Sequence, residues 1–124
     1  MLSRLFLAIV ILMLGGFGVG FLVRPRRFAN LIDLRLDSTT AISDVRAVYG
    51  GLEIGLAIFL AWCAVDPTRI QVGLGVTAIV FGAVAASRLV GMFLDRPVTS
   101  MTVKIFAAEA ATAIIAVLLA DRHG

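Results

Sequence analysis

The chain has 124 residues, 60% of them apolar, a mean hydropathy of +1.05, a net charge of +3 and a pI near 10.0. Soluble domains run at about 45–50% apolar, and a chain this short cannot bury such a surplus inside itself, so lipid is the expected solvent. The basic residues lie mostly in the linkers between apolar runs, with no basic stripe and no interleaved aromatics, which excludes a nucleic-acid surface.

The first apolar run, residues 5–23, holds no charge and is about as long as a membrane-spanning helix needs. Arg4 before it also suits a secretory signal, but the Gly15–Gly20 stretch offers no cleavage site of the small-x-small type, so the run reads as a retained span. Its glycines follow no strand, which excludes a dinucleotide loop. Gly16 and Gly20, four apart, read instead as a helix-packing face. Residues 26–37 alternate Phe28, Leu31, Ile32 and Leu36 with Asp33, Arg35 and Asp37, the pattern of a short amphipathic helix in the headgroup region.

Ser43 or Asp44 can cap a second span over residues 45–65, where Trp62 suits an interfacial anchor. Asp66 followed by Pro67 starts a third span over residues 67–94. Thr99 or Ser100 can cap a fourth over residues 101–120. The fold expected is therefore all-α, a single-domain integral membrane four-helix bundle with an interfacial helix between the first and second spans. Lipid leaves no water for unpaired backbone groups, and apolar runs of this length satisfy them as helices.

Seven basic residues (Arg24, Arg26, Arg27, Arg35, Arg46, Arg96 and Lys104) fall on the side reached after the first span. Three (Arg4, Arg69 and Arg122) fall on the other. The positive-inside rule then puts the first side in the cytoplasm and both termini outside. Lys104 lies near enough to the interface to snorkel, and Asp95 and Arg96 are interfacial. Cys63 is the only cysteine and His123 the only histidine, so no disulfide and no His/Cys metal site is expected.

Glu53, Arg88 and Glu109 stand inside apolar spans, where a charge normally faces protein and is paired. At 1.5 Å per residue they lie roughly 12, 9 and 12 Å from the same membrane face. They are therefore expected to meet. Arg46 and Tyr49, seven and four residues before Glu53, are expected on its helix face. Gly50, Gly51, Gly55 and Gly91 are expected to admit close helix contacts around the cluster. With Arg88 alone the cluster keeps one negative charge, so one Glu holds a proton; with Arg46 as well it is neutral. Two carboxylates bridged by an arginine can equally be a purely structural tie.

The stretch Arg46-Ala47-Val48-Tyr49-Gly50-Gly51-Leu52-Glu53-Ile54-Gly55, with Ser87-Arg88-Leu89-Val90-Gly91 and Asp95, resembles the family called domain of unknown function 4345. The resemblance covers residues 5–120. It implies a small bacterial four-helix membrane protein of DoxX-like architecture, located in the inner membrane, and it carries no assigned function. The family has Gly-Arg where this chain has Ser87-Arg88, and Asp-Gly where it has Asp95-Arg96.

No nucleophile–base pair or metal-ligand spacing is present, so the expected role is non-enzymatic and without a cofactor. The expectation is an accessory subunit of a membrane complex, or a binder of a small lipophilic ligand, with the bilayer and further copies or subunits as partners. The alternatives are a proton-coupled small transporter working as an oligomer, with Glu53 or Glu109 carrying the proton, and a quinone-associated redox subunit, which only the DoxX-like resemblance implies.

Overall fold

The computed structural model describes residues 1–123; Gly124 and the side chain of His123 lie outside the described residues, and so does any role of that lone histidine. The chain forms α1 (Leu2–Val23), α2 (Pro25–Leu31), α3 (Thr39–Ala64), α4 (Ile70–Leu94) and α5 (Ser100–His123). Among the described residues there is no strand. The four long helices are each long and apolar enough to cross a membrane.

Local chemistry sets their ends. Arg24 precedes Pro25, which disfavours helical backbone before it; Arg24 opens to φ −132°, α1 stops, and Pro25 starts α2 in the first-turn position. The helix α2 is shorter than the pattern in residues 26–37 predicts. Asp33 takes the left-handed conformation (φ 60°), its N–H donates to the Asn30 carbonyl, and the Leu34 N–H reaches back to Ala29. These two bonds form a Schellman stop, so residues 34–37 run non-helically and Leu36 folds into the core.

The start of α3 also differs. Ser38, not Ser43 or Asp44, is the cap: its hydroxyl accepts the Ala41 N–H at 3.0 Å, and the helix begins at Thr39. Residues Arg46–Leu52 of α3 wind in π-helical turns before the α-helix resumes at Glu53. Asp66 caps the single 3₁₀ turn Pro67–Arg69 that leads into α4, accepting the Thr68 N–H at 2.9 Å. Thr99 caps α5 through the Thr102 N–H at 3.2 Å.

The helices pack as two antiparallel pairs. In the first, Gly15 of α1 faces Ala57 of α3, Gly18 faces Ile54, and Leu22 faces Gly50. In the second, Gly82 of α4 faces Ala113 of α5, and the Gln71 amide donates to the Ala120 carbonyl at 3.0 Å. The pairs join where Gly73 of α4 meets Cys63 and Leu7, in a core that includes Leu7, Val10, Leu14, Leu60 and Leu74. A smaller cluster of Phe21, Ala29, Leu36 and Val45 seats α2 on α1 and α3.

This arrangement departs from a closed bundle in which α3, α4 and α5 share one contact point. The helix α5 packs on α4 and makes no comparable contact with α1 or α3. The helix α1 supplies Leu7, Val10 and Leu14 to the core.

Candidate functional site

Arg88 lies six residues before the end of α4, and Glu109 lies nine residues into α5. The antiparallel pairing puts them side by side. The Arg88 Nε donates to Glu109 Oε1 at 2.6 Å and its Nη2 donates to Oε2 at 2.9 Å. This two-pronged geometry matches the planar guanidinium to the carboxylate. The Glu109 side chain is 15% exposed and that of Arg88 31%. Ser87 and Thr112 do not compete for the pair, since each hydroxyl donates to a carbonyl four residues back at 2.8 Å.

Two of the five guanidinium N–H groups are used in this pair, and among the described residues the other three have no partner. Arg88 also lines two concavities. One, of about 410 Å³, is walled by Ala83, Val84, Ser87 and Arg88. The other, of about 280 Å³, runs from Arg88 past Met92 and Asp95 to the turn at Pro97 and to Thr102. An arginine with free donors beside the aliphatic side chains of Ala83 and Val84 can hold an acceptor oxygen on an otherwise apolar molecule.

Glu53 does not join this pair. It makes no ion pair among the described residues, and its Oε2 is buried without a hydrogen-bond partner. Arg46 does not reach it either; its Nε donates to the Leu22 carbonyl at 3.1 Å and so closes the C-terminal end of α1. The π-helical turns between the two explain the difference. Each residue added to a helix moves the following face by about 100°, so a seven-residue spacing through Arg46–Leu52 no longer aligns two side chains. Tyr49 packs on Phe21, ring centres 5.1 Å apart.

The glycines also redistribute. Gly50 is buried against Gly18 and Leu22, where a Cβ would lie 3.3 Å from Gly18 O and Leu22 Cβ. Gly20 lies beneath the Phe28 ring and so serves α2 rather than another long helix. Gly16 and Gly55 have nothing within 4 Å of a built Cβ, and Gly51 meets only the Arg46 carbonyl of its own helix at 3.9 Å. None of these three makes a close helix contact within the chain. Gly91 faces only Asp95 Oδ2, at 3.7 Å.

Sequence reasoning passed over Gly18 and Gly73, where glycines of two long helices meet their neighbours most tightly. A Cβ at Gly18 would lie 2.8 Å from Ile54 Cγ1 and 3.1 Å from Gly50 O, and one at Gly73 2.9 Å from Cys63 Cβ. Gly18 lies in the same glycine run as Gly16 and Gly20, so the signal was present and the face was misjudged. At the opposite end of the helices, the Arg69 guanidinium lies 4.0 Å over the Trp62 ring and donates from Nε to the Trp62 carbonyl. The neighbouring Asp66 carboxyl is held below its ordinary range by the Thr68 backbone N–H and then by the Thr68 hydroxyl. No three His, Cys, Asp or Glu side chains come together among the described residues.

The family described as domain of unknown function (DUF4345) matches residues 2–120. No curated protein and no solved structure matches the chain.

Proposed function

The chain belongs to the family described as domain of unknown function (DUF4345), and from its own residues we infer a non-enzymatic inner-membrane protein that crosses the bilayer four times and binds a small lipophilic ligand at Arg88. At 1.5 Å per residue the four long helices are about 33–39 Å long, against a hydrocarbon core of about 30 Å. Large apolar side chains such as Leu12, Ile79 and Leu94 stand about three-quarters exposed, as a lipid-facing surface requires. The distribution of arginines supports a cytoplasmic α1–α3 linker and α4–α5 turn, with both termini outside.

One observation carries the binding reading: a guanidinium fixed by Glu109 keeps three donors free between a mainly apolar concavity at Ala83 and Val84 and a more polar one that runs past Met92 and Asp95. A fixed donor costs little ordering on binding and is left unmatched by a pure hydrocarbon. The ligand class is an apolar body carrying one or two acceptor oxygens, which covers fatty acids and quinones alike. The test is thermal unfolding of the detergent-solubilised protein with palmitate, a short-chain quinone or hexadecane. Palmitate or the quinone should raise the melting temperature of the wild type while hexadecane does not. The shift should vanish in the Arg88→Met/Glu109→Gln double variant, which removes the donor without leaving a lone carboxylate. Equal shifts with hexadecane, or shifts retained by the double variant, refute the reading.

A role as a subunit of a larger assembly is the second reading. Only 11% of the most apolar stretch of α5 is buried, against 28% for α1, which leaves that helix free to meet lateral partners. Purification in a mild detergent followed by native mass spectrometry separates a lone chain from an assembly.

A further inference from the structure

We propose that Glu53 is a proton-binding site within the membrane, separate from the Arg88–Glu109 pair and occupied by a proton in the resting protein. The two glutamates of the chain meet opposite environments. Glu109 has both carboxyl oxygens hydrogen-bonded to a guanidinium. Glu53 has one oxygen removed from solvent and given no donor.

The charged groups of the surrounding elements do not supply one. On α3, Arg46 is committed to the Leu22 carbonyl and Tyr49 lies on Phe21, while Asp44 is exposed and would add charge of the same sign. Between Arg4 and Arg24, α1 has no ionisable residue, and Arg26 of α2 donates to the Leu36 carbonyl. Arg24, which precedes α2, and Arg27, on α2, are exposed. On α4 the one ionisable side chain beyond the first turn is Arg88, which is tied to Glu109. On α5, Lys104 is exposed. None of these groups forms an ion pair with Glu53.

Depth removes the remaining source of solvation. Glu53 is roughly 21 Å from Thr39 and 17 Å from Ala64 along α3, near the middle of the helix, so the part of it left uncovered meets hydrocarbon or a lateral partner rather than water. An ionised carboxylate with an unpartnered oxygen there costs several kcal/mol, and the group takes up a proton instead. The seven residues before it wind in π-helical turns, an irregularity that recurs at functional sites. The inference rests on the four-crossing reading and is independent of ligand binding at Arg88.

The experiment uses the full chain in phospholipid vesicles treated with dicyclohexylcarbodiimide. This reagent partitions into hydrocarbon and adds whole to a protonated carboxyl, giving a stable N-acylurea. Peptide mass spectrometry should find the adduct on Glu53 on the order of tenfold more than on Glu109 at neutral pH, declining as the medium is made alkaline and absent in Glu53→Gln. Infrared difference spectra of wild type minus Glu53→Gln cover the case in which the reagent fails to reach the site. They should show the carbonyl stretch of a protonated carboxyl. Absence of that band, or equal labelling of Glu53 and Glu109, overturns the proposal. Failure of the four crossings themselves would be seen separately, as labelling of Glu53 by a water-soluble carbodiimide and an amine.

Discussion

Replacing Arg88 by Met removes both hydrogen bonds to Glu109 and leaves a carboxylate that is 15% exposed with no partner. Breaking a buried pair from one side costs about 3–5 kcal/mol in a dry interior. Two features lower that figure here. The Arg88 side chain is about a third exposed, and polar contacts between membrane helices average only about 0.6 kcal/mol, with a maximum near 1.7. The expected loss for Arg88→Met is therefore about 2 kcal/mol, and that for Glu109→Gln about the same. The Arg88→Met/Glu109→Gln double variant leaves no orphan charge and should lose little more than either single variant, about 2–3 kcal/mol in all. A coupling energy of about 1–2 kcal/mol follows. Arg88→Lys should recover only part of it, since an ammonium cannot make the two-pronged contact. Equilibrium unfolding in mixed micelles titrated with dodecyl sulfate, followed by circular dichroism, measures all four. Strict additivity of the two single losses would refute the claim that this pair ties α4 to α5.

Gly18→Ala and Gly16→Ala, two residues apart on α1, should move stability in opposite directions in the same titration. The first presses a methyl against Ile54 and the Gly50 carbonyl and should cost about 1–3 kcal/mol, while the second meets open space and should be neutral or gain up to about 1 kcal/mol. Asp66 has a folded-state pKa depressed chiefly by the Thr68 N–H, so its contribution is full above the unfolded value of about 4 and is lost as pH falls through the folded value. The melting temperature should therefore drop on acidification below about pH 4, and Asp66→Asn, which keeps an acceptor but does not titrate, should blunt that part of the drop.

The sequence carried the long helices because each is a run of apolar residues closed by a readable cap. Asp66 with Pro67 and Thr99 ahead of α5 are where the chemistry of helix ends puts them. The pairing of Arg88 with Glu109 was legible from depth, since the two helices are neighbours in the chain and short turns make neighbours antiparallel. Depth alone could not place Glu53. It fixes height in the membrane and says nothing of direction around the helix, and α3 pairs with α1 rather than with α5. The π-helical turns in Arg46–Leu52 then shifted the face by an amount no regular helical period encodes. The same limit explains Gly16 and Gly18: two residues separate them by about 200° on the helix, and the choice between those faces belongs to the partner helix. The Asp33 stop on α2 was hidden because a non-glycine residue in the left-handed region carries only a weak sequence signal.

The roles given to Arg88 and Glu53 both require four crossings with the α1–α3 linker and the α4–α5 turn on one side. In a Cys63→Ala background, Asn30→Cys, Arg96→Cys and Thr68→Cys place single thiols at three exposed positions. A membrane-impermeant maleimide applied to intact cells from the outside should label the cysteine at position 68. It should reach those at positions 30 and 96 only after the membrane is permeabilised. Finding position 68 on the same side as position 30 or position 96 would contradict the four-crossing arrangement.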